Sequence, residues 1–277
     1  MANDYRQIFE AKRGGASDDQ ALVADVQRAA SARSEFAENI PALIATLRND
    51  LEQTVVRLAA LRALRTAAFL AELFAPYRAD FIDALRQLLR PGVDPQLCKD
   101  ALAFLAGEND ATAQDQLRSG LQNPALALVP PAMALHLLGF DDHANIADLA
   151  QDVFSKAGDD LAAKEAALRV LVNDAKSQDL FARLLTDKGQ PKSLRALSAA
   201  GLNALNPQKF AELAQSIVKD PTDFEDIRAS ALGALVNTPL HQVVRANTGC
   251  LDTIKSLTAQ SPLADLRAAA GRFLAKQ

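Results

Sequence analysis

The sequence predicts an all-α fold, a right-handed α-solenoid of about seven antiparallel helix pairs with an N-terminal helical cap. Three observations predict it. Ala and Leu, which lead the helix-propensity scale, supply most of the apolar residues, whereas the chain has no Trp and only 2 Tyr. A short apolar motif recurs along most of the chain. Proline and helix-capping residues separate the copies of that motif.

The recurring motif is an apolar residue and Arg, then small residues, then an apolar pair three positions apart. Its clearest copies are 56–64, 166–171, 227–235 and 266–274. Aligned on the first position of the pair, seven copies fall at 61, 102, 135, 168, 202, 232 and 271, at steps of 30 to 41 residues. Such a step matches a helix–turn–helix unit. We therefore expect Leu61, Leu168 and Leu232 to be buried between layers.

Partner helices with apolar residues at helical spacing are predicted between these copies. Their expected ranges are 40–50, 78–90, 111–121, 144–156, 178–186, 208–219 and 250–259.

Proline and glycine positions support these boundaries. Asp94, Asn206 and Ser261 each precede a proline and are expected to cap the helix that follows. None of the 12 prolines falls in the middle of a predicted helix. Three glycines do fall inside predicted helices, and we expect close helix–helix contacts there; they are Gly201, Gly233 and Gly271.

The segment from Asp220 to Arg228, with its Pro- and Asp-bearing turn, apolar-Arg step and small-residue helix, resembles the HEAT-repeat signature. The resemblance covers roughly residues 38–276 and implies an α-solenoid spanning 37–277. Tetratricopeptide repeats are a weaker alternative, because their Trp, Gly and Tyr positions are missing here. Residues 1–36 do not fit the repeat. They are interpreted as an end cap, with a detachable regulatory arm as the alternative.

The arginines of the repeat motif, Arg57, Arg228 and Arg267, are expected to be structural. Near the start of a second helix, Arg is able to hydrogen-bond carboxylates and carbonyls of the turns between helices. A binding role is the alternative. Cys98, Pro131 and Lys164 replace this Arg in other copies.

Residues with reactive side chains are few and scattered. Cys98 and Cys250 lie in separate helical patterns and are expected to be buried free thiols. His136 is expected to be partly buried or to face a groove, and His143 lies in a polar loop with His241 as the third histidine. We find no catalytic, metal-binding or cofactor-binding motif. The HEAT-like metal hydroxylases carry His-Glu pairs, which this sequence lacks.

The functional prediction is a non-enzymatic interaction scaffold, because a solenoid presents an extended concave surface. A bilin-attachment lyase or its accessory is the alternative, on the analogy of fold alone. The formal net charge of −4 argues against nucleic-acid binding, and against a basic DNA glycosylase of this shape. The N-terminus resembles no signal peptide and no stretch is long enough to span a membrane, so a cytoplasmic location is expected.

The resemblance also implies that second helices line the concave side. The residue after each first aligned position would then form one column, and its candidate binding residues are Arg62, His136, Arg169, Asn203 and Arg272, with Ala103 and Gly233 between them. The column contains no acidic residue although the chain is acidic. We therefore expect an unidentified protein partner, with an acidic peptide or helix as the favoured chemistry.

Overall fold

The computed structural model describes residue 24 and residues 36–141, 145–238 and 240–276. This part of the chain contains α-helices, 3-10 helices and turns, with no strand, so the predicted all-α class is confirmed. The chain divides into two compact units, residues 1–144 and 145–277. The cap predicted for residues 1–36 lies outside the described residues except at Ala24 and Phe36, and the loop that holds His143 also lies outside them.

Among the described residues, the first unit contains three helix pairs. They are α1 (Phe36–Arg48) with α2 (Thr54–Ala67), α4 (Arg78–Gln87) with α5 (Pro95–Gly107), and α6 (Ala111–Gln122) with α7 (Pro131–Leu138). A short helix, α3 (Ala71–Phe74), and a 3-10 turn (Ala75–Tyr77) connect the first pair to the second.

The second unit contains four pairs. They are α8 (Ala147–Lys156) with α9 (Leu161–Leu171), α10 (Gln178–Thr186) with α11 (Lys192–Leu205), α12 (Pro207–Lys219) with α13 (Glu225–Asn237), and α15 (Thr248–Gln260) with α16 (Ala264–Ala275). A short helix, α14 (His241–Ala246), precedes the last pair. The described residues thus hold the seven pairs that the repeat predicted, and none of their helices is both long and apolar enough to cross a bilayer.

Second-helix leucines form the centre of each packed layer. Leu61, Leu168 and Leu232 have no exposed surface, which confirms the burial expected of them. Aromatic packing adds to the first unit, where the rings of Phe74 and Phe81 meet edge to face at 5.5 Å between centroids. These side chains exclude water from the contact between the two helices of a pair and between neighbouring pairs.

A recurrent hydrogen bond closes four of the pairs. The fourth residue of the second helix donates to a backbone carbonyl ten residues earlier, at the end of the first helix. The bonds run from Arg57 Nε to Leu47 O (3.1 Å), Cys98 Sγ to Leu88 O (3.1 Å), Arg195 Nε to Leu185 O (2.9 Å) and Arg228 Nε to Val218 O (3.1 Å). Because helix C-termini leave carbonyls without intrahelical donors, the side chain satisfies one of them inside the core.

Side-chain bonds also connect consecutive pairs within each unit. The residue that caps the start of one pair bonds to the first helix of the preceding pair. In the first unit Arg86 donates through Nε and Nη2 to Asp110, at 3.0 and 2.7 Å. In the second unit Asn206 donates to Gln178 and Asn247 donates to Gln215, both at 2.9 Å. The cap residue therefore has two functions, since it also accepts from the first turn of its own helix.

Three local predictions are wrong. Pro41 lies inside α1, because that helix begins four residues earlier than its apolar pattern suggested. Ser261 does not cap α16, which begins only at Ala264; Ser261 instead accepts from the N–H of Leu263. An added methyl group at Gly233 or Gly271 would meet no atom within 4 Å, so neither position is a close helix contact.

The close contact expected at Gly201 is confirmed. An ideal Cβ at that position would lie 2.8 Å from two ring carbons of the buried Phe181. Glycine is therefore required in α11 by the proximity of α10, despite the cost of glycine inside a helix.

Candidate functional site

The residues of the predicted binding column lie in both units, and each unit is described separately. In the first unit Arg62 on α2 and His136 on α7 are exposed, and Ala103 on α5 is half-buried. The ring of His136 meets that of Phe140 edge to face at 5.1 Å. In the second unit Arg169 on α9 is exposed and lies 3.5 Å from Glu165, so its charge is partly neutralised.

The hydrogen bond from Arg195 to the carbonyl of Leu185 changes the register of the pair formed by α10 and α11. Because Arg195 makes the same ten-residue contact as Arg57 and Arg228, the position that corresponds to Arg62 is Ala200 rather than Asn203. Asn203 lies almost one turn further along α11 and is half-buried, and its Oδ1 is buried with no hydrogen-bond partner in the structure. Asn203 therefore does not belong to the exposed position of the repeat.

The last pair differs in a similar way. Leu266, Ala270 and Phe273 are buried at the spacing that Arg228, Leu232 and Leu235 have in α13. Leu266 thus takes the place of the repeat arginine, and the position that corresponds to Arg62 is Gly271 rather than the exposed Arg272.

Of the three arginines that were predicted to be structural, two are buried and one is exposed. Arg57 and Arg228 are buried and donate hydrogen bonds to carbonyls of the preceding helix. The guanidinium of Arg57 also lies 3.1 Å from the carboxylate of Asp50 in the turn. Arg267 is exposed and donates to the carbonyls of Ser261 and Pro262, in its own N-terminal turn, at 2.6 and 3.0 Å.

A fourth arginine, Arg195, was missed by the sequence reasoning. Its guanidinium forms two hydrogen bonds to Asp223, at 2.7 and 2.6 Å, and both side chains are almost wholly buried. Burial alone would raise the pKa of Asp223, but the hydrogen bonds from Arg195 and the Phe224 N–H outweigh it, so the pKa is lowered. The Leu194-Arg195 step matches the apolar-Arg step of the repeat motif. Because that copy was aligned on position 202, Arg195 did not fall at the position of Arg57.

The reactive side chains do not converge among the described residues. Cys98 and Cys250 are buried free thiols, as expected, and burial raises the pKa of each. His241 is buried, with Nε2 3.0 Å from the carbonyl of Phe273 and no partner for Nδ1. Within the described ranges no group of three or more His, Cys, Asp or Glu side chains is arranged to hold a metal ion.

One exposed surface combines apolar and cationic side chains. Val55, Leu58, Arg62, Thr66 and Phe69 follow one another at steps of three or four residues along α2 and the turn after it, and so share one side of the helix. We call these five residues the α2 face. Phe69 is 88% exposed and Val55 44% exposed.

The charge of the α2 face is positive. Helix α2 contains three arginines and no acidic residue. Arg57 is buried, and Arg65 lies 4.0 Å from Asp100 of α5, whereas Arg62 makes no ion pair within the described part of the chain. The guanidinium of Arg62 is therefore available to a ligand.

The first unit also contains an open depression of about 440 Å³. Its lining residues come from α1 and the residue that follows it, and from the start of α4 and the turn before it: Pro41, Ile44, Ala45, Arg48, Asn49, Tyr77 and Asp80. Arg48 is fixed at this place because its Nη2 donates to the backbone carbonyl of Asp80 at 2.9 Å. No sequence motif indicates this site, because its residues belong to two helices whose contacting positions, Arg48 and Asp80, are 32 residues apart.

Comparison with family models and with curated proteins found no match. Among solved structures, human deoxyhypusine hydroxylase in complex with glycerol is similar to this chain. The alignment has 15% identity and a TM-score of 0.37, and it covers 86% of this chain and 95% of that chain. A similarity of this strength transfers no activity, metal or substrate to this protein.

The comparison corrects one functional prediction. The non-enzymatic scaffold was inferred from architecture alone, yet the matched helical protein is a hydroxylase and hence an enzyme. A row of helix pairs therefore does not indicate a non-enzymatic function, and that prediction is withdrawn.

Proposed function

We propose that this protein binds a protein partner at the α2 face of its first unit. The observation that carries the proposal is an exposed phenylalanine, Phe69, on the same side of the helix as Arg62, which forms no ion pair with the described residues. Binding at this face is compatible with a chain that also catalyses a reaction.

Apolar area supports a macromolecular partner. A phenylalanine that is 88% exposed gains little from folding, whereas burial against a partner would remove its ring from water. Val55 and Leu58 extend the apolar area along the helix toward its N-terminus. Aromatic side chains and Arg are also the residue types enriched where interfaces are strongest.

Charge supports an acidic partner segment. Arg62 lies between the apolar residues of the α2 face, and no acidic residue belongs to α2. A carboxylate of the partner would form an ion pair with Arg62 while its apolar residues cover Val55 and Phe69. The expected occupant is a helix with acidic and apolar residues on one side, since helical spacing would match that of α2.

A peptide-display selection against the purified protein tests the proposal. We expect recovered peptides to be enriched in Asp or Glu together with Leu or Phe at helical spacing. The double variant Arg62→Glu, Phe69→Ser should lose these peptides, and binding to the wild-type protein should weaken as salt is raised. Both substitutions are at exposed positions, so the thermal unfolding midpoint should stay nearly unchanged.

The matched control is Arg272→Glu, Val243→Ser. It changes an exposed arginine and an exposed apolar residue of the second unit. Retention of peptide binding by this control, with loss in the α2 double variant, supports the proposal. Recovery of no peptides, or of peptides that bind both double variants equally well, contradicts it.

A further inference from the structure

We propose that the depression between α1 and α4 binds a free α-amino acid with an apolar side chain. Its volume of about 440 Å³ falls in the range of small-molecule sites. The site is separate from the α2 face, so either assignment can fail without the other.

The lining residues divide into an apolar group and a polar group. Pro41 and Ala45 are exposed on α1 and provide the apolar contact area, and the almost fully buried Ile44 lies between them in the sequence. Tyr77 adds an aromatic ring together with a hydroxyl group. An apolar side chain of a ligand would replace water against this surface.

The polar group carries both signs of charge. Arg48 and Asp80 line the same depression, and the hydrogen bond from Arg48 to the Asp80 carbonyl keeps the guanidinium close to the first turn of α4. Neither Arg48 nor Asp80 forms an ion pair with another described side chain. Asn49 accepts from the Leu51 N–H through Oδ1, which leaves its amide hydrogens free to donate.

A zwitterion fits this arrangement better than a singly charged ligand. The ligand carboxylate would accept from Arg48 and Asn49, and the ligand ammonium would donate to Asp80. A nucleotide or other polyanion would be repelled by Asp80, and a simple amine would leave Arg48 without a partner. The chemistry therefore selects a small molecule that carries a carboxylate and an ammonium beside an apolar group.

Saturation-transfer NMR with the full chain tests this inference. L-phenylalanine is the probe, and two analogues remove one charge each: phenethylamine lacks the carboxylate and 3-phenylpropanoate lacks the ammonium. We expect L-phenylalanine to bind with a dissociation constant on the order of 1 mM, as a ligand of this size allows. Each analogue should bind about tenfold more weakly, which is the effect of losing one charged hydrogen-bond partner.

Two variants locate the binding in the depression. Arg48→Gln and Asp80→Asn should each weaken L-phenylalanine about tenfold. Asp83→Asn is the matched control, because Asp83 is an exposed acid of the same helix that pairs with Arg86 and does not line the depression. Absence of saturation transfer from L-phenylalanine, equal binding of the three probes, or unchanged binding in both depression variants would overturn the proposal.

Discussion

Arg195 and Asp223 show how much of the stability of the second unit depends on individual polar side chains. Arg195 donates to the carbonyl of Leu185 in the preceding helix and to Asp223 in the turn between α12 and α13, so one side chain joins two consecutive pairs. Both groups are withdrawn from water. Removal of either partner would strongly destabilise the fold, because the remaining charge would be buried alone.

Replacement of Arg195 by Met should therefore lower the free energy of unfolding by about 3–5 kcal/mol, because Asp223 would be left without its partner. Arg267→Met is the control. Arg267 is exposed and donates hydrogen bonds to the carbonyls of Ser261 and Pro262 in the turn before its helix, so its loss should cost about 0.5 kcal/mol or less. Chemical denaturation followed by circular dichroism measures both. Equal effects of the two substitutions would show that the buried pair has no special importance.

The same pair predicts a dependence on pH. The pKa of Asp223 is lower in the folded chain than in the unfolded chain, so its ionised form stabilises the fold above the ordinary aspartate pKa of about 4, and this contribution is lost as the pH falls through the folded value. We expect wild-type protein to exceed Asp223→Asn in unfolding free energy by a constant amount above about pH 5 and by a decreasing amount below about pH 4. A difference that grows on acidification would contradict the assignment.

At the scale of the helix, glycine has opposite roles at positions that look alike in the sequence. Gly201, Gly233 and Gly271 all lie inside second helices, yet only Gly201 faces a ring, that of Phe181, at a distance that excludes a side chain. The sequence does not distinguish these cases, because the distance between neighbouring helices depends on the side chains that pack between them.

Alanine substitutions test this difference directly. Gly201→Ala should destabilise the protein by about 1–3 kcal/mol, since the added methyl group overlaps the buried ring of Phe181. Gly233→Ala should stabilise it by up to about 1 kcal/mol, because alanine restricts the unfolded chain and has space in the fold. Thermal unfolding of the two variants gives the signs, and identical signs would contradict the packing described for α11.

At the scale of the whole molecule, the sequence predicted the pairs well and their exact registers less well. The step of the apolar motif identified all seven pairs in the described residues, and α10 begins and ends where its pattern predicted. Short helices such as α3 and α14 were missed, because four to six residues contain too little periodicity. The registers at Asn203 and Arg272 were wrong because a run of small residues precedes each position, at 198–201 and 268–271, and such a run fits two alignments.

The candidate sites were less predictable than the fold. Arg62 was correctly expected to be exposed, but its significance depends on Phe69, which lies in the turn after α2 and outside the repeat motif. The depression at Arg48 and Asp80 depends on the packing of two helices, and no local sequence signal reports that packing.

Arg62 on the α2 face is proposed to contact an acidic group of a protein partner. Charge reversal with rescue tests this contact, with an acidic peptide from the display selection as the probe. Arg62→Glu should weaken that peptide about tenfold or more, and a peptide with the matching Asp or Glu changed to Lys should regain most of the lost affinity for Arg62→Glu while losing affinity for the wild-type protein. Fluorescence anisotropy measures all four combinations. If no acidic position of the peptide shows this exchange, Arg62 does not contact the partner and the proposed docking face is wrong.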